Sequence, residues 1–171
     1  MLGPDKGNCR LEGKWKSLMS QEERYGDRDG TYSAWHRKNS TKRYVGIEHA
    51  QLLAMIDVDV CLWVEYDDGT KDPVLLVETA RDVGQEWKPS IVTQRLAERA
   101  CVPAVCLLYT PADDPNPADD RWPDIKAFRA RMIQPYQPNW LRLSPEQWAK
   151  ALLDLRKSGA QVIDKLLGRT S

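Results

Sequence analysis

The sequence predicts an α/β domain, a central mixed sheet of four or five strands flanked by helices. Three observations predict it. Two strand-like runs are joined by an Asp-Gly turn. A helix opened by proline then leads into a third apolar run. Finally, a Ser-Pro-Glu signature starts a helix near the end of the chain. The 171 residues suit one domain and can bury a core without staples.

The elements follow in order. Residues 1–30, rich in Gly, Lys, Glu and Asp, read as a mobile arm around a short helix from about Lys14 to Arg24. Residues 31–171 then make up the single domain. Residues 31–38 read as a short helix or turn carrying Trp35, His36 and Arg37. Asn39 to Ala50 is polar and reads as a loop. The run IDVDVCLWVEY, residues 56–66, alternates with a period of two. Val58, Val60, Leu62 and Val64 share one face. Asp57, Asp59, Cys61, Trp63 and Glu65 share the other. Asp68-Gly69 in the following turn is a strong hairpin signal. The run VLLVETA, residues 74–80, is apolar on both faces, as in a central strand. Glu78 near its end is out of place there.

Pro89 opens a helix through about Ala100, with Ile91, Val92, Leu96, Ala97 and Ala100 as its apolar stripe. VPAVCLLY, residues 102–109, reads as a third buried strand. A strand, helix and strand in this order favour parallel pairing of the two strands. Thr110 to Pro123 reads as a Pro/Asp-rich loop and Phe128 to Ile133 as an edge strand. A helix runs from Ser144-Pro145-Glu146 to about Lys157, with Trp148, Leu152 and Leu155 on one face. The tail from Gly159 adds at most a short helix.

Composition narrows the function classes. Lys+Arg and Asp+Glu are both 25, so any nucleic-acid site is a local patch rather than a basic coat. There is no apolar run of membrane-spanning length and no apolar stretch of the signal-peptide kind, which makes a cytoplasmic location and no membrane partner the expectation. The four cysteines form no CxxC pair and there are two histidines, which argues against structural zinc. Cys61 or Cys106 with His49 is a formal nucleophile pair, but a thiol inside an apolar strand is usually inert. No Gly-rich phosphate loop occurs.

The chemistry-bearing residues are acidic. A carboxylate in a buried strand is costly unless paired, protonated or bound to metal. Here one hairpin delivers Asp57 or Asp59 from its first strand and Glu78 from its second. Hard cations such as Mg²⁺ or Mn²⁺ take oxygen ligands and keep several waters, so two or three carboxylates suffice. Glu78 can equally form a plain ion pair with Arg81 or Arg37.

The order Asp, hairpin, Glu-x-x resembles the PD-(D/E)xK superfamily, whose fold is restriction-endonuclease-like. The residues that carry the resemblance are IDVDVCLWVEYDDGTKDPVLLVETA, followed by PSIVTQRLAERACVPAVCLLY. More narrowly, the chain resembles bacterial and phage members with a His-Arg element before the Asp strand, the matching residues being His36 and Arg37. The resemblance implies a Mg²⁺- or Mn²⁺-dependent nuclease that hydrolyses phosphodiesters, with DNA the first partner to test. Many enzymes of the fold work as homodimers. Asp59, or Asp57 on the same face, matches the metal-binding Asp, and Glu78 the second ligand. Asp59 is preferred because the unbroken strand begins there.

The family's lysine should stand at position 80, which is Ala80. Strand alternation aims Arg81 at the other face. Lys88 and Gln94, at or in the next helix, are the candidates to supply the missing contact to the attacking water. His36 and Arg37 are candidates to position the phosphate. Lys42 and Arg43, beside Trp35 and Tyr44, form a basic cluster suited to nucleic acid. The alternative that Ala80 raises is a catalytically inactive relative that binds nucleic acid or a protein.

Overall fold

The computed structural model describes residues 31–35, 38–53, 55 and 57–168. The chain divides into two compact units, Met1–Met55 and Ile56–Ser171. The helix expected near Lys14 to Arg24 lies outside the described residues.

In the first unit, α1 spans Thr31–Trp35 and α2 spans Lys38–Ala50. The second corrects the loop expected from Asn39 onward. Its sequence is polar, yet Thr41 and Ala50 are buried, and two buried positions are too few to print a period of 3.6. Gly46 breaks the helical path at φ 77°, ψ 164°.

The second unit is a five-stranded mixed sheet flanked by two helices. Its strands are β1 (Val60–Glu65), β2 (Lys71–Arg81), β3 (Ala104–Asn116), β4 (Asp119–Gln134) and β5 (Leu141–Leu143), arranged in sequence order. Only β2 and β3 pair in parallel; every other pair is antiparallel. Helix α3 (Ile91–Ala100) makes the crossover between them, and α4 (Pro145–Leu166) follows β5.

The turn of the β1–β2 hairpin forms where Asp68-Gly69 predicts it. Gly69 adopts φ 81°, open to glycine at no steric cost. Asp68 Oδ1 accepts hydrogen bonds from the Thr70 amide (2.9 Å) and hydroxyl (2.6 Å). Strand β1 is shorter than expected. It starts at Val60, so Asp57 and Asp59 precede it, and its register shifts between Leu62 and Trp63.

The period of two sorts the core onto two faces. Leu75, Val77, Val105, Leu107 and Ala130 pack with Trp148 of α4, joined by Leu152 and Leu155. Leu76, Ala104, Cys106, Leu108 and Ile133 pack with Ala97 of α3. The start of α4 is as the sequence predicts. The Ser144 hydroxyl accepts from the Gln147 amide (3.1 Å) and Gln147 Oε1 accepts from the Ser144 amide (2.8 Å), a capping box with proline after it. The helix does not stop near Lys157 but runs on to Leu166. Gly159 inside it lets the backbone close on Val74.

Three further expectations are corrected. The Pro/Asp-rich stretch from Thr110 to Pro123 is no loop but the arm of the β3–β4 hairpin. Register shifts at Pro111 and Pro115 absorb residues that cannot donate to a ladder. The strand around Phe128 to Ile133 is not an edge, since β5 pairs with its outer side. On α3 the inward stripe is Thr93 and Ala97, whereas Ile91, Val92 and Leu96 are exposed. The helix is N-capped at Ser90, so Pro89 lies outside it.

Candidate active site

Glu78 lies in β2 on the face shared with Leu76 and Ala80, which is the face α3 covers. Its carboxylate is mostly buried, with 13% of the side chain exposed. Burial of that charge requires partners, and both oxygens have one. Lys88 Nζ donates to Oε1 at 2.6 Å, and the hydroxyl of the buried Thr93 donates to Oε2 at 2.6 Å. Thr93 reaches it because it lies one helical turn before Ala97, on the side of α3 that meets the sheet.

Asp59 completes the cluster from the residue before β1. Its Oδ2 accepts the Thr79 amide (2.7 Å) and hydroxyl (3.1 Å), which ties the start of β1 to the end of β2. The same oxygen stands 3.7 Å from Lys88 Nζ. Lys88 also donates to the Thr79 carbonyl. One ammonium therefore meets both carboxylates and a main-chain oxygen. Ala80 packs its methyl into the apolar cluster beneath, and the cation comes from the loop between β2 and α3.

That loop is also held from β4, on the same face of the sheet. Arg129 in β4 donates to both carboxylate oxygens of Asp82, from Nε at 2.6 Å and Nη2 at 2.7 Å. Its bidentate bond, with the Gly84 amide, holds the Asp82 carboxyl below its ordinary range, and the same bond raises Arg129. Cys106 lies in the apolar cluster of this face. Burial pushes its thiol up, while the Lys88 and Arg131 cations pull the other way.

The residues singled out in the sequence fall into three groups. Asp59, Glu78 and Lys88 come together. Asp57 is exposed two residues earlier, and the hydrogen bonds that bind this end of β1 to β2 go to Asp59. Gln94 is not part of the cluster, because its amide donates to Glu98 at 3.2 Å along the helix. His36 and Arg37 lie outside the described residues. Lys42 and Arg43 sit on α2 in the first unit. Lys42 bonds to Asn39, and Arg43 bonds to the Ser40 carbonyl and stacks 5.3 Å from the Tyr44 ring centre. Thr79, Thr93 and Arg129 were not foreseen. A threonine four residues before a small apolar residue in an amphipathic helix was the available signal for Thr93.

The donor set suits a hard divalent cation. It offers two carboxylates and a main-chain carbonyl, all oxygen, at a mouth where Asp59 is one-third exposed and waters can complete a coordination shell. Among the described residues there is no cluster of three or more His, Cys, Asp or Glu, so such a cation would rest on few protein ligands. No helix among the described residues is long and apolar enough to cross a membrane. No protein-family model matches the chain, and no curated protein or solved structure matches it significantly.

Proposed function

We propose that the chain is a Mg²⁺- or Mn²⁺-dependent nuclease of the PD-(D/E)xK kind, with a restriction-endonuclease-like fold and its lysine supplied from position 88. The observation that carries this reading is the placement of Lys88 Nζ, 2.6 Å from Glu78 and 3.7 Å from Asp59, beside the face position that Ala80 leaves without a charge. The mixed sheet supports it further. A hairpin brings an Asp and a Glu together, and a crossover helix follows the Glu strand.

Asp59 and Glu78 would hold the cation, with Thr93 and Thr79 fixing the orientation of the two carboxylates. A bound cation supplies Lewis-acid polarisation of the phosphate and charge for the leaving oxygen. Lys88 orients the attacking water and stabilises the charge that develops as it attacks. Thr93 keeps Glu78 from swinging away when Lys88 turns to the water. DNA is the substrate to test first, and Tyr32, Trp35, Lys42, Arg43 and Tyr44 offer exposed aromatic and basic groups for it.

The test is cleavage of duplex DNA, single-stranded DNA and RNA by purified protein with Mg²⁺ or Mn²⁺. Cleavage that needs metal and disappears in Glu78→Ala and Lys88→Ala is expected. One observation favours a second reading. Lys88 already pairs with both carboxylates, so the cluster is held together by its own ion pairs. A folded protein that cuts none of these substrates therefore turns the assignment to an inactive relative that binds nucleic acid or a protein.

A further inference from the structure

Lys88 sits in a segment with no helix or strand, between the end of β2 at Arg81 and the start of α3 at Ile91. A lysine in such a segment has many rotamers and little to fix its backbone. Yet this segment is tied at successive points. The Asp82 amide donates to the Tyr109 carbonyl at 2.8 Å. Arg129 grips the Asp82 carboxylate with two nitrogens, and its Nη2 also donates to the Gln85 carbonyl at 2.8 Å. Gln85 turns back to bond the Arg81 carbonyl (2.9 Å) and the Val83 amide (2.7 Å). Trp140, just before β5, donates its indole N–H to the Glu86 carbonyl at 3.1 Å, two residues short of Lys88. The Arg129 guanidinium lies 5.1 Å from the Trp140 ring centre and that of the buried Arg131 4.6 Å.

The side-chain hydrogen bonds of Arg129 thus converge on the segment that carries Lys88. We propose that Arg129, acting through Asp82, Gln85 and Trp140, is a positioning residue that sets the place of the Lys88 ammonium between Asp59 and Glu78. Its catalytic consequence rests on the nuclease reading, but its geometric content does not. The planar fork of arginine matters here, because a lysine ammonium at position 129 cannot span two carboxylate oxygens and a carbonyl in one plane.

The experiment reads Lys88 directly, in full-length protein without metal. A ¹H–¹⁵N correlation of lysine ammonium groups displays Lys88 when its protons exchange slowly, and Lys88→Arg assigns the signal by its loss. Arg129→Met removes the donors at similar side-chain volume. Trp140→Phe removes only the indole N–H and covers the case in which Arg129→Met does not fold. In each folded variant the Lys88 ammonium protons should exchange with water about tenfold faster or more, while the Thr79 amide stays protected. If the wild type cleaves nucleic acid, kcat in these variants should fall about a hundredfold with KM little changed, and Arg129→Lys should recover only part of it. A Lys88 signal that keeps its wild-type exchange rate in the folded variants overturns the proposal, as does a wild-type protein with no such signal. Faster exchange in the variants of a wild type that cuts nothing supports the brace and removes the nuclease reading alone.

Discussion

Replacing Lys88 with methionine keeps most of the side-chain volume and removes the one charge shared by Asp59 and Glu78. Two unit charges 4 Å apart attract by about 4 kcal/mol at an effective dielectric of about 20. Removing one partner from a buried pair costs about 3–5 kcal/mol, because the other charge is left without compensation. Lys88 and Glu78 are 19% and 13% exposed, but Asp59 is 33% exposed, so water recovers part of that cost. A loss of about 2–3 kcal/mol is expected, which for a chain of this size lowers Tm by roughly 4–12 °C. Calorimetry of Lys88→Met against wild type, with and without Mn²⁺, measures it. Divalent metal should then act with opposite weight on the two proteins. In the wild type the cation competes with an ammonium for Glu78. In Lys88→Met the two carboxylates need a counter-charge, and metal at a hundred times its Kd would return about 2.7 kcal/mol. The variant should therefore bind metal more tightly while cutting nothing. A Lys88→Met protein with wild-type Tm and no shift in added Mn²⁺ would refute the reasoning, because the carboxylates would then be neither coupled to Lys88 nor a cation site.

Three other outcomes follow from the packing and the charges. Gly159→Ala places a methyl 2.7 Å from Val74 Cβ and Cγ1. Overpacking of about 1–3 kcal/mol then exceeds or offsets the ~1 kcal/mol a helix gains from the exchange. In a Val74→Ala background the Cγ1 clash is gone but the 2.7 Å contact with Cβ remains, so the same change should cost less than in wild type without becoming stabilising, and chemical denaturation of the four proteins reads the difference. The Asp82 carboxyl is lowered first by its bond to Arg129, with Arg142 adding attraction. Its contribution to stability is complete above the ordinary carboxylate pKa of about 4 and is lost as pH falls through the lower folded value. Arg129→Met should accordingly show a flatter loss of stability below about pH 4 than wild type. In a Cys9→Ser background, iodoacetamide followed by mass spectrometry should label the exposed Cys101 first. Cys61, raised by burial, follows, and the fully buried Cys106 reacts last.

Where each side chain's environment was local, the sequence was readable. The Asp-Gly turn, the Ser-Pro-Glu cap and the parallel β2–β3 pair each depend on a few adjacent residues or on one crossover, and each formed as expected. Errors arose where tertiary contacts decide. The proline-rich stretch after Tyr109 reads as a loop because proline cannot donate to a ladder, yet bulges opposite Ile125 and Pro123 let the hairpin continue past it. Helix α3 contains more large apolar residues than its inner face can use, so counting them pointed to Ile91, Val92 and Leu96 instead of Thr93. A small hydroxyl faces the sheet because a buried carboxylate opposite needs a donor. That requirement belongs to Glu78, fifteen residues away, and is invisible in the helix's own pattern.

The same logic explains why Ala80 did not settle the question of the site. What the proposed nuclease chemistry would need is a cation at a point in space beside two carboxylates, and no single backbone position is obliged to deliver it. A strand residue at position 80 would bring its charge through a core that instead packs Cys106 and Leu108 on that face. A loop residue reaches the same point from outside the strand and brings its ammonium to its acceptors with a mostly buried stem. Its weakness is freedom of motion, which the strand would have removed at no further expense. The bonds from Arg129 and Trp140 to the segment before Lys88 supply that missing constraint from β4 and the start of β5, on the same face of the sheet. On the proposed reading, a relocated charge and a brace for its loop are two parts of one arrangement, and the second would give a physical reason for side chains far from Glu78 in sequence to converge on this loop.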